Sequence, residues 1–389
     1  MSLGIYFGIA SEGVRKEIGS SLTVIDRVSY VLDFRFGTPE ESFIVGRVIY
    51  AAPEVQRPVG GVRIMSRHVA ALAGAGVDAA LWCPTPGFRY TWFDERVPMW
   101  SGTELALADD DVLVWPEPVV LPGRDPAPGC RKVIFNQNHF QTFSLWDDDI
   151  SYPGWSPAPA VWTVSEESVA VLGRAHPELP LMLVPNAIDT DLFRPRDRND
   201  PTIAWMPRKR AEEAALIKRM LQHDPRGAGV KFQEISNCTE AEVAAALGEA
   251  SVFIGLGGMI GEGFGLPIAE ALASGCLVAG YPAGGGEELF GAPSAWSVPE
   301  YRPALLAAKA LELLDLPGQD ALRAAGRRWI EARYTVKAMT EALLAAVRTT
   351  RELPGTAGTA VHFAAWMDEV LAKAGGTRAT PPTPAGRPE

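Results

Sequence analysis

The sequence contains 389 residues, more than one ordinary hydrophobic core accommodates, so two domains are expected. Hydrophobic residues make up 47% of the chain and charged residues 21%, proportions typical of a folded protein in water. The formal net charge of −11 disfavours nucleic acid or an anionic membrane as the main partner, because both are polyanions.

Cysteine usage and the lack of long apolar stretches bear on the cellular compartment. The four cysteines stand apart, without metal-ligand or redox spacing, which predicts reduced thiols in the core. We find no stretch apolar enough to span a bilayer, and residues 1–7 lack the basic segment of a secretory signal. These features predict a cytoplasmic protein and leave peripheral contact with a membrane open.

From residue 46 onward, short β-rich runs alternate with Ala-rich amphipathic stretches, whereas residues 1–45 have an unclear role. This alternation is typical of βαβ units on a parallel sheet, and therefore of an α/β fold. The predicted strands are 48–51, 79–82, 112–115, 133–135 and 161–164 in the first half, and 202–205, 230–232, 252–254 and 277–279 in the second.

The segment 186–200 is rich in proline and charge and is the expected linker. It separates an N-terminal domain at 46–185 from a C-terminal domain at 201–350. A helix at 351–374 is the candidate for a return to the first domain. Residues 375–389, rich in Pro, Thr and Gly, are expected to be a disordered tail.

The most informative segment is 261–272, GEGFGLPIAEAL, which follows a predicted strand and a glycine-rich loop. Pro267 suits the first turn of a helix. The amides of Gly263, Phe264 and Gly265 then lie at a helix N-terminus, where unpaired N–H groups and the helix dipole attract an anion.

Two carboxylates flank this expected anion site. Glu262 precedes the helix and Glu270 lies one turn inside it, so both can accept hydrogen bonds from hydroxyls of one ligand. An anion flanked by polyols describes a sugar nucleotide, which we expect as the ligand. The alternative is an ordinary surface helix preceded by a glycine-rich loop.

This segment resembles the signature of the retaining GT-B glycosyltransferases of the Glu-x7-Glu type (glycosyltransferase family 4-like, "glycosyl transferases group 1"). Three further segments resemble motifs of that family and stand in its order: 58–62 (PVGGV), 164–166 with 184–195, and 283–288 (AGGGEE). The resemblance covers roughly residues 46–350. It implies a GT-B fold, in which two Rossmann-like, doubly wound domains face each other across a cleft.

The resemblance also implies an activity. A sugar would be transferred from a nucleotide-sugar donor to an acceptor hydroxyl with retention of the anomeric configuration. The donor would be a substrate, with no further cofactor and no metal. The acceptor would be a carbohydrate, a lipid-linked molecule or a small molecule, and the oligomeric state stays open.

Residue roles follow from the resemblance by position. Glu270 would bind the ribose hydroxyls, and Glu262 would contact the transferred sugar or the reacting centre. The amides of Gly263, Phe264 and Gly265, together with the loop at Gly60 and Gly61, would enclose the diphosphate and the sugar.

Three further residues are catalytic candidates. The family places basic residues after the first strand of its C-terminal domain, and Arg208 and Lys209 follow strand 202–205 here, although the family's usual spacing of an Arg and a later Lys is not reproduced. A solvated basic turn is the alternative. His139 follows strand 133–135, where the family often has a histidine near the reactive sugar; the alternative is a packed or surface histidine.

Two runs of aspartates, 109–111 and 147–149, invite a metal-site interpretation. We expect the first to be a solvated turn before a strand and the second to be an acidic, aromatic loop. Two rival functions also stay open: a non-catalytic partner subunit with this fold, and a sugar-nucleotide epimerase. The first is favoured by the altered basic turn and disfavoured by the presence of both glutamates.

Overall fold

The computed structural model describes residues 46–56, 58–93, 96–144, 152–358 and 360–373. The expectations for residues 1–45, 147–149 and 375–389 lie outside these ranges. The strands are β1 (Val48–Ala51), β2 (Ala79–Cys83), β3 (Met99–Ser101), β4 (Val112–Pro116), β5 (Arg131–Asn136), β6 (Ala160–Thr163), β7 (Leu181–Leu183), β8 (Thr202–Trp205), β9 (Lys231–Glu234), β10 (Val252–Gly255), β11 (Leu277–Gly280) and β12 (Ala295–Ser297). The α-helices are α1 (Gly60–Gly74), α2 (His139–Thr142), α3 (Glu166–Ala175), α4 (Ala211–His223), α5 (Glu240–Glu249), α6 (Leu266–Ala273), α7 (Pro303–Leu314), α8 (Gln319–Arg333), α9 (Val336–Glu352) and α10 (Phe363–Lys373).

The strands form two sheets in which every pairing is parallel. A seven-stranded sheet has the order β3-β2-β1-β4-β5-β6-β7, and a five-stranded sheet has the order β12-β11-β10-β8-β9. The strand order reverses between β1 and β4 in the first sheet and between β8 and β10 in the second. In such sheets the loops beyond the carboxyl ends of the strands diverge at the reversal and leave a crevice for a ligand.

The first sheet is covered on both faces. Alternate side chains of its strands point to opposite sides, and both sets are apolar, so each face packs against helices. Val48 and Tyr50 of β1 belong to one buried cluster together with apolar residues of α1 and α9. Ile49 and Ala51 belong to a second cluster, which includes residues of α10. The central strands β1 and β4 are therefore apolar along their whole length, whereas β5 begins with Arg131 and Lys132.

The second sheet is built in the same way. One face carries Ile203 and Ile254, which pack with residues of α4 and α7. The other face carries Ala204 and Phe253, which pack with residues of α5, α6 and α8. This last cluster also contains the inner face of the first sheet, so one apolar core joins the two halves of the molecule.

The chain returns to the first sheet near its end. Helix α9 contacts α1, β4 and β5, and Trp162 Nε1 of β6 donates to Thr350 Oγ1 at 3.2 Å. Helix α10 packs Phe363 against Trp82 and Trp115, with ring centroids 5.6 and 5.0 Å apart. The return thus begins at α9, earlier than the residue 351 expected from the sequence. The chain returns already at α9 because the apolar side chains of this helix pack on the first sheet.

We call the seven-stranded sheet with α1–α3, α9 and α10 the first lobe, and the five-stranded sheet with α4–α8 the second lobe. None of the helices in the described part of the chain is long and apolar enough to cross a membrane.

Candidate active site

The segment 261–273 forms a tight loop followed by a helix, as its glycines and proline predict. Gly265 takes a left-handed conformation, with φ of 93°, directly before α6, and Pro267 lies in the first turn. Phe264 buries its ring against Tyr334, with ring centroids 5.0 Å apart. Any ligand role of Phe264 is therefore a role of its backbone amide. The N–H of Ile268 already donates to the carbonyl of Gly265 at 2.9 Å, and Pro267 has no N–H, so the amides that can bind a ligand here are those that precede Pro267.

Glu262 is held by its backbone. Its N–H donates to the carbonyl oxygen of Ala283 at 2.6 Å, and its own carbonyl accepts from the N–H of Gly285 at 2.9 Å. The carboxylate forms an ion pair with Lys209 Nζ, and the Glu262 side chain is only 13% exposed. The structure thus brings together two residues that stand 53 positions apart in the sequence.

Glu262, Lys209 and the start of α6 line a small pocket of about 70 Å³. The pocket lies between β8 and β10, where the strand order of the second sheet reverses. Its charged side chains are Arg208, Lys209 and Glu262, and Gly265 and Pro267 bring the start of α6 to the same pocket. Two cations, one carboxylate and a helix N-terminus leave an excess of positive charge, which suits an anionic ligand. The apolar part of the lining consists mainly of Met206, Phe253, Leu256 and Ile268.

The three cations after β8 have different surroundings. Arg208 is exposed and forms no ion pair with any residue that the structure describes. Lys209 is engaged by Glu262. Arg210 is buried and paired with Glu213 and Glu300, so it does not belong to a solvated turn. Sequence reasoning missed Arg210 because its acidic partner Glu300 lies 90 residues away.

Glu270 does not line this pocket. It is 3% exposed and forms an ion pair with Arg63 of α1 in the first lobe. Arg63 and Arg67 both also contact Glu240 Oε1, each at 2.7 Å. Burial raises the pKa of Glu270, while Arg63 and Arg67 oppose that rise. The four-residue spacing of the two arginines puts them on one face of α1, and this spacing is the sequence signal that indicates the cluster.

Gly60 and Gly61 begin α1, and Gly60 faces the second lobe whereas Gly61 faces Gln137 of the first lobe. A Cβ atom at Gly60 would lie 3.0 Å from Leu266 Cδ1 at the start of α6, and one at Gly61 would lie 2.9 Å from Gln137 Nε2. Gln137 Nε2 also donates to the carbonyl of Gly61 at 3.2 Å. Gly60 therefore permits a close approach of the two lobes beside the N-terminus of α6, and Gly61 leaves room for the Gln137 side chain.

The lobes touch across the cleft. Asn138 Nδ2 donates to the carbonyl of Gly261 at 3.2 Å. A Cβ atom at Gly263 would lie 1.8 Å from the carbonyl oxygen of Gln137, so only glycine fits there in this arrangement. The two sides of the cleft are therefore in contact at this point.

His139 begins α2 and is completely buried. Its Nδ1 lies 2.9 Å from Ser168 Oγ, and its Nε2 lies 3.9 Å from Glu167 Oε1. Burial lowers the pKa of His139 to about 4, so the imidazole is neutral at pH 7. It does not line the pocket of Arg208 and Glu262, but the neighbouring Phe140 packs on Gly261 in the loop before Glu262.

Of the first aspartate run, Asp109 and Asp110 are exposed, as expected of a turn. Asp111 corrects the expectation of a fully solvated run: it is 2% exposed and accepts hydrogen bonds from Arg47 Nε at 3.0 and 3.1 Å. In the described part of the chain, no group of three His, Cys, Asp or Glu residues is arranged to hold a metal ion.

No protein-family model and no curated protein matches the sequence. Solved structures do. The chain is similar to sucrose-phosphate synthase from Thermosynechococcus elongatus, with a TM-score of 0.58, 14% identity and coverage of 78% of this chain and 98% of that one. It is similar to a glycosyltransferase from Rickettsia africae ESF-5, with a TM-score of 0.55, 13% identity and coverage of 78% and 98%.

A third similar structure is a TarM mutant from S. aureus in complex with fondaparinux, α-GlcNAc-glycerol and UDP. Its TM-score is 0.57 at 9% identity, and the match covers 78% of this chain and 100% of that one. At these identities the likeness establishes the fold. The predicted α/β architecture is confirmed: the chain has the GT-B fold of glycosyltransferases.

Proposed function

We propose that this protein is a glycosyltransferase that moves a sugar from a nucleotide-sugar donor to an acceptor hydroxyl, with retention of the anomeric configuration. The observation that carries the proposal is the pocket at the strand reversal of the second sheet. There Arg208, Lys209 and Glu262 meet the N-terminus of α6. The GT-B fold and the UDP in the TarM complex are consistent with a nucleotide-sugar donor.

The chemistry of the pocket fits the leaving group of such a reaction. When the bond between sugar and diphosphate breaks, negative charge grows on the diphosphate. Arg208 is free to meet this charge, and the amides at the start of α6 add their dipoles. Lys209 can exchange its contact with Glu262 for a phosphate oxygen, which releases Glu262 toward the sugar. A site made of amides and cations requires no divalent metal.

Two further groups complete the proposal. His139, neutral at pH 7, offers a hydrogen bond rather than a charge to the reactive sugar. Glu270 binds the ribose hydroxyls only after Arg63 has moved away from it, because the pair fills this part of the cleft. Donor binding is therefore coupled to a separation of the lobes around α1 and α6.

The test is release of free nucleotide from UDP-, GDP- and ADP-sugars, measured with and without candidate acceptors. We expect slow release from one nucleotide class, acceleration by an acceptor, and an unchanged rate in the presence of a chelator. If no donor were turned over, the proposed transferase function would be wrong. Strict dependence on added magnesium or manganese would contradict a metal-independent site and would make the aspartate runs candidates for metal binding.

The second candidate, a non-catalytic subunit, is favoured by one observation. The carboxylate expected to bind ribose is occupied by Arg63 and almost inaccessible. A binding subunit would bind a nucleotide or sugar without turnover, or bind neither. An epimerase would instead interconvert donor sugars in the same assay.

A further inference from the structure

The third cation of the run after β8, Arg210, does not line the pocket that its neighbours Arg208 and Lys209 line. Its side chain is 2% exposed and stands at the start of α4. A positive charge is unfavourable at a helix N-terminus, so the stability of α4 does not account for it. The contacts of the guanidinium explain why an arginine is buried at this position.

We propose that Arg210 is a positioning residue that fixes the two loops around Glu262, an inference that rests on the proposed transferase function. The first loop is residues 256–262, which ends in Glu262. Arg210 Nη2 donates to the carbonyl oxygen of Gly258 in this loop at 2.9 Å. Next to it, Tyr301 OH donates to the carbonyl of Met259 at 3.0 Å.

The second loop, residues 281–286, is reached through Glu300. One carboxylate oxygen of Glu300 pairs with Arg210 Nη2, and the other accepts from the N–H of Ala283 at 3.0 Å. The carbonyl of Ala283 in turn accepts from the N–H of Glu262 at 2.6 Å. A continuous set of hydrogen bonds therefore leads from the guanidinium to the backbone of Glu262.

The contacts of Arg210 require the planar guanidinium group of arginine. Its guanidinium carbon lies 5.0 Å from the ring centroids of both Tyr281 and Tyr301. Nη1 contacts Glu213 Oε2 at 3.2 Å, and Tyr281 OH donates to the other oxygen of Glu213 at 2.7 Å. A planar cation can stack on rings and donate in several directions at once, whereas an ammonium group is a single point charge.

The backbone of the second loop shows why such fixing is needed. Ala283 has φ of 52°, a conformation that a residue with a side chain adopts at a cost. The hydrogen bonds to Glu300 and Glu262 hold it there. Loss of Arg210 removes the partner that orients Glu300, and both loops gain freedom.

The first experiment needs no ligand. Amide hydrogen exchange is compared in the full-length wild type, Arg210→Lys and the control Arg323→Lys. Arg323 is also buried and donates to two backbone carbonyls, of Ser251 and Gly275, at 2.6 and 3.0 Å, but contacts neither loop. We expect Arg210→Lys to speed exchange at 256–262 and 281–286 about tenfold. Unchanged exchange there, or equal acceleration in Arg323→Lys, overturns the inference.

The second experiment separates positioning from general stability. With the donor that the wild type turns over, Arg210→Lys should lower kcat about ten- to a hundredfold, because Glu262 is misplaced. The donor KM should change by less than about threefold. A changed KM with an unchanged kcat would contradict the positioning role. If the wild type turns over no donor, the transferase proposal fails while the exchange result still decides whether Arg210 holds the loops.

Discussion

Arg208 and Lys209 are neighbours in the sequence but differ in what they are free to do. Arg208 has no acidic partner in the described chain, whereas Lys209 is held by Glu262. Arg208→Ala should therefore lower kcat about a hundredfold, the usual cost of losing one donor to a developing negative charge. Lys209→Ala should lower it less, because the substitution also frees Glu262. Steady-state kinetics with the donor measures both.

The kinetic pattern distinguishes a catalytic cation from a binding one. A charge that matters mainly as the bond breaks affects kcat more than donor KM. Arg208→Lys should recover only part of the rate, since an ammonium group cannot hold two phosphate oxygens in parallel. Wild-type kinetics in both alanine variants would mean that the turn after β8 is only a solvated surface feature.

Glu270 and Glu240 form a matched pair for the ribose assignment. Both contact Arg63 in the same buried cluster, but only Glu270 is proposed to bind ribose. Glu270→Gln should weaken binding of the nucleoside diphosphate by about 1.5–3 kcal/mol, the cost of losing hydrogen bonds to a charged group. Glu240→Gln should leave binding nearly unchanged. Calorimetry that finds equal affinities for the two variants would contradict the assignment.

Glu117 gives the protein a pH dependence that one substitution isolates. Burial raises the pKa of Glu117 to about 8, although the amides of Gln137 and Asn138 oppose that shift. The folded state therefore binds a proton that the unfolded state has released. This contribution to stability is complete below pH 4.5 and is lost as the pH rises toward 8.

Glu117→Gln should become more stable relative to the wild type as the pH rises from 5 to 8. Urea unfolding at several pH values measures this difference, and Glu249→Gln, a change at an exposed site, is the control. A difference that stays constant over this range would show that Glu117 ionises normally.

Charge pairs were the least predictable part of the site. Lys209 and Glu262, Arg63 and Glu270, and Arg210 and Glu300 are each far apart in the sequence. Local pattern locates each residue on an element, but the pairing depends on how two elements come together. The sequence therefore predicted Glu262 directly before a helix and Arg208 directly after a strand, and it did not indicate that Glu270 would pair with Arg63 of the first lobe.

At the scale of elements, the start of α6 offers a direct test of the anion site. Gly265 has φ of 93°, and a Cβ atom there would lie 3.5 Å from its nearest neighbour, so space is not limiting. Gly265→Ala should cost about 1–2 kcal/mol of unfolding free energy from the left-handed backbone alone. It should also weaken nucleotide binding, because the amides of the first turn move.

Gly76 is the control for that substitution. It has φ of 81° with open space around it, and it lies beyond the end of α1. Gly76→Ala should show a similar loss of unfolding free energy and no change in nucleotide affinity. Equal effects of the two substitutions on binding would contradict an anion site at the N-terminus of α6.

Strands buried on both faces were predicted well, whereas three of the four edge strands were missed. Strands 48–51 and 202–205 have the predicted bounds. The missed strands are Met99–Ser101, Leu181–Leu183 and Ala295–Ser297, each of three residues and partly exposed. Three residues carry too little periodicity to show a strand, and their pairing is imposed by the neighbouring strand.

At the scale of the molecule, α10 is a structural part of the first lobe. Phe363 is fully buried between Trp82 and Trp115, and Trp366 Nε1 donates to the carbonyl of Val119 at 2.7 Å. Phe363→Ala should lower the unfolding free energy by about 3–5 kcal/mol. Val336→Ala, at a site 57% exposed on α9, should change it by less than about 0.5 kcal/mol. Similar denaturation midpoints for the two variants would show that α10 is dispensable.

The return of α9 and α10 has a consequence for biosynthesis. Translation delivers the strands of the first lobe before the second lobe, yet α9 and α10, which pack on opposite faces of that first sheet, are translated only after the second lobe. The second lobe, translated later, has its own helices close behind its strands and can bury its sheet first. The nascent chain therefore completes these two lobes in the reverse of the order in which it begins them, and the strands of the first lobe wait longest for their full cover during synthesis.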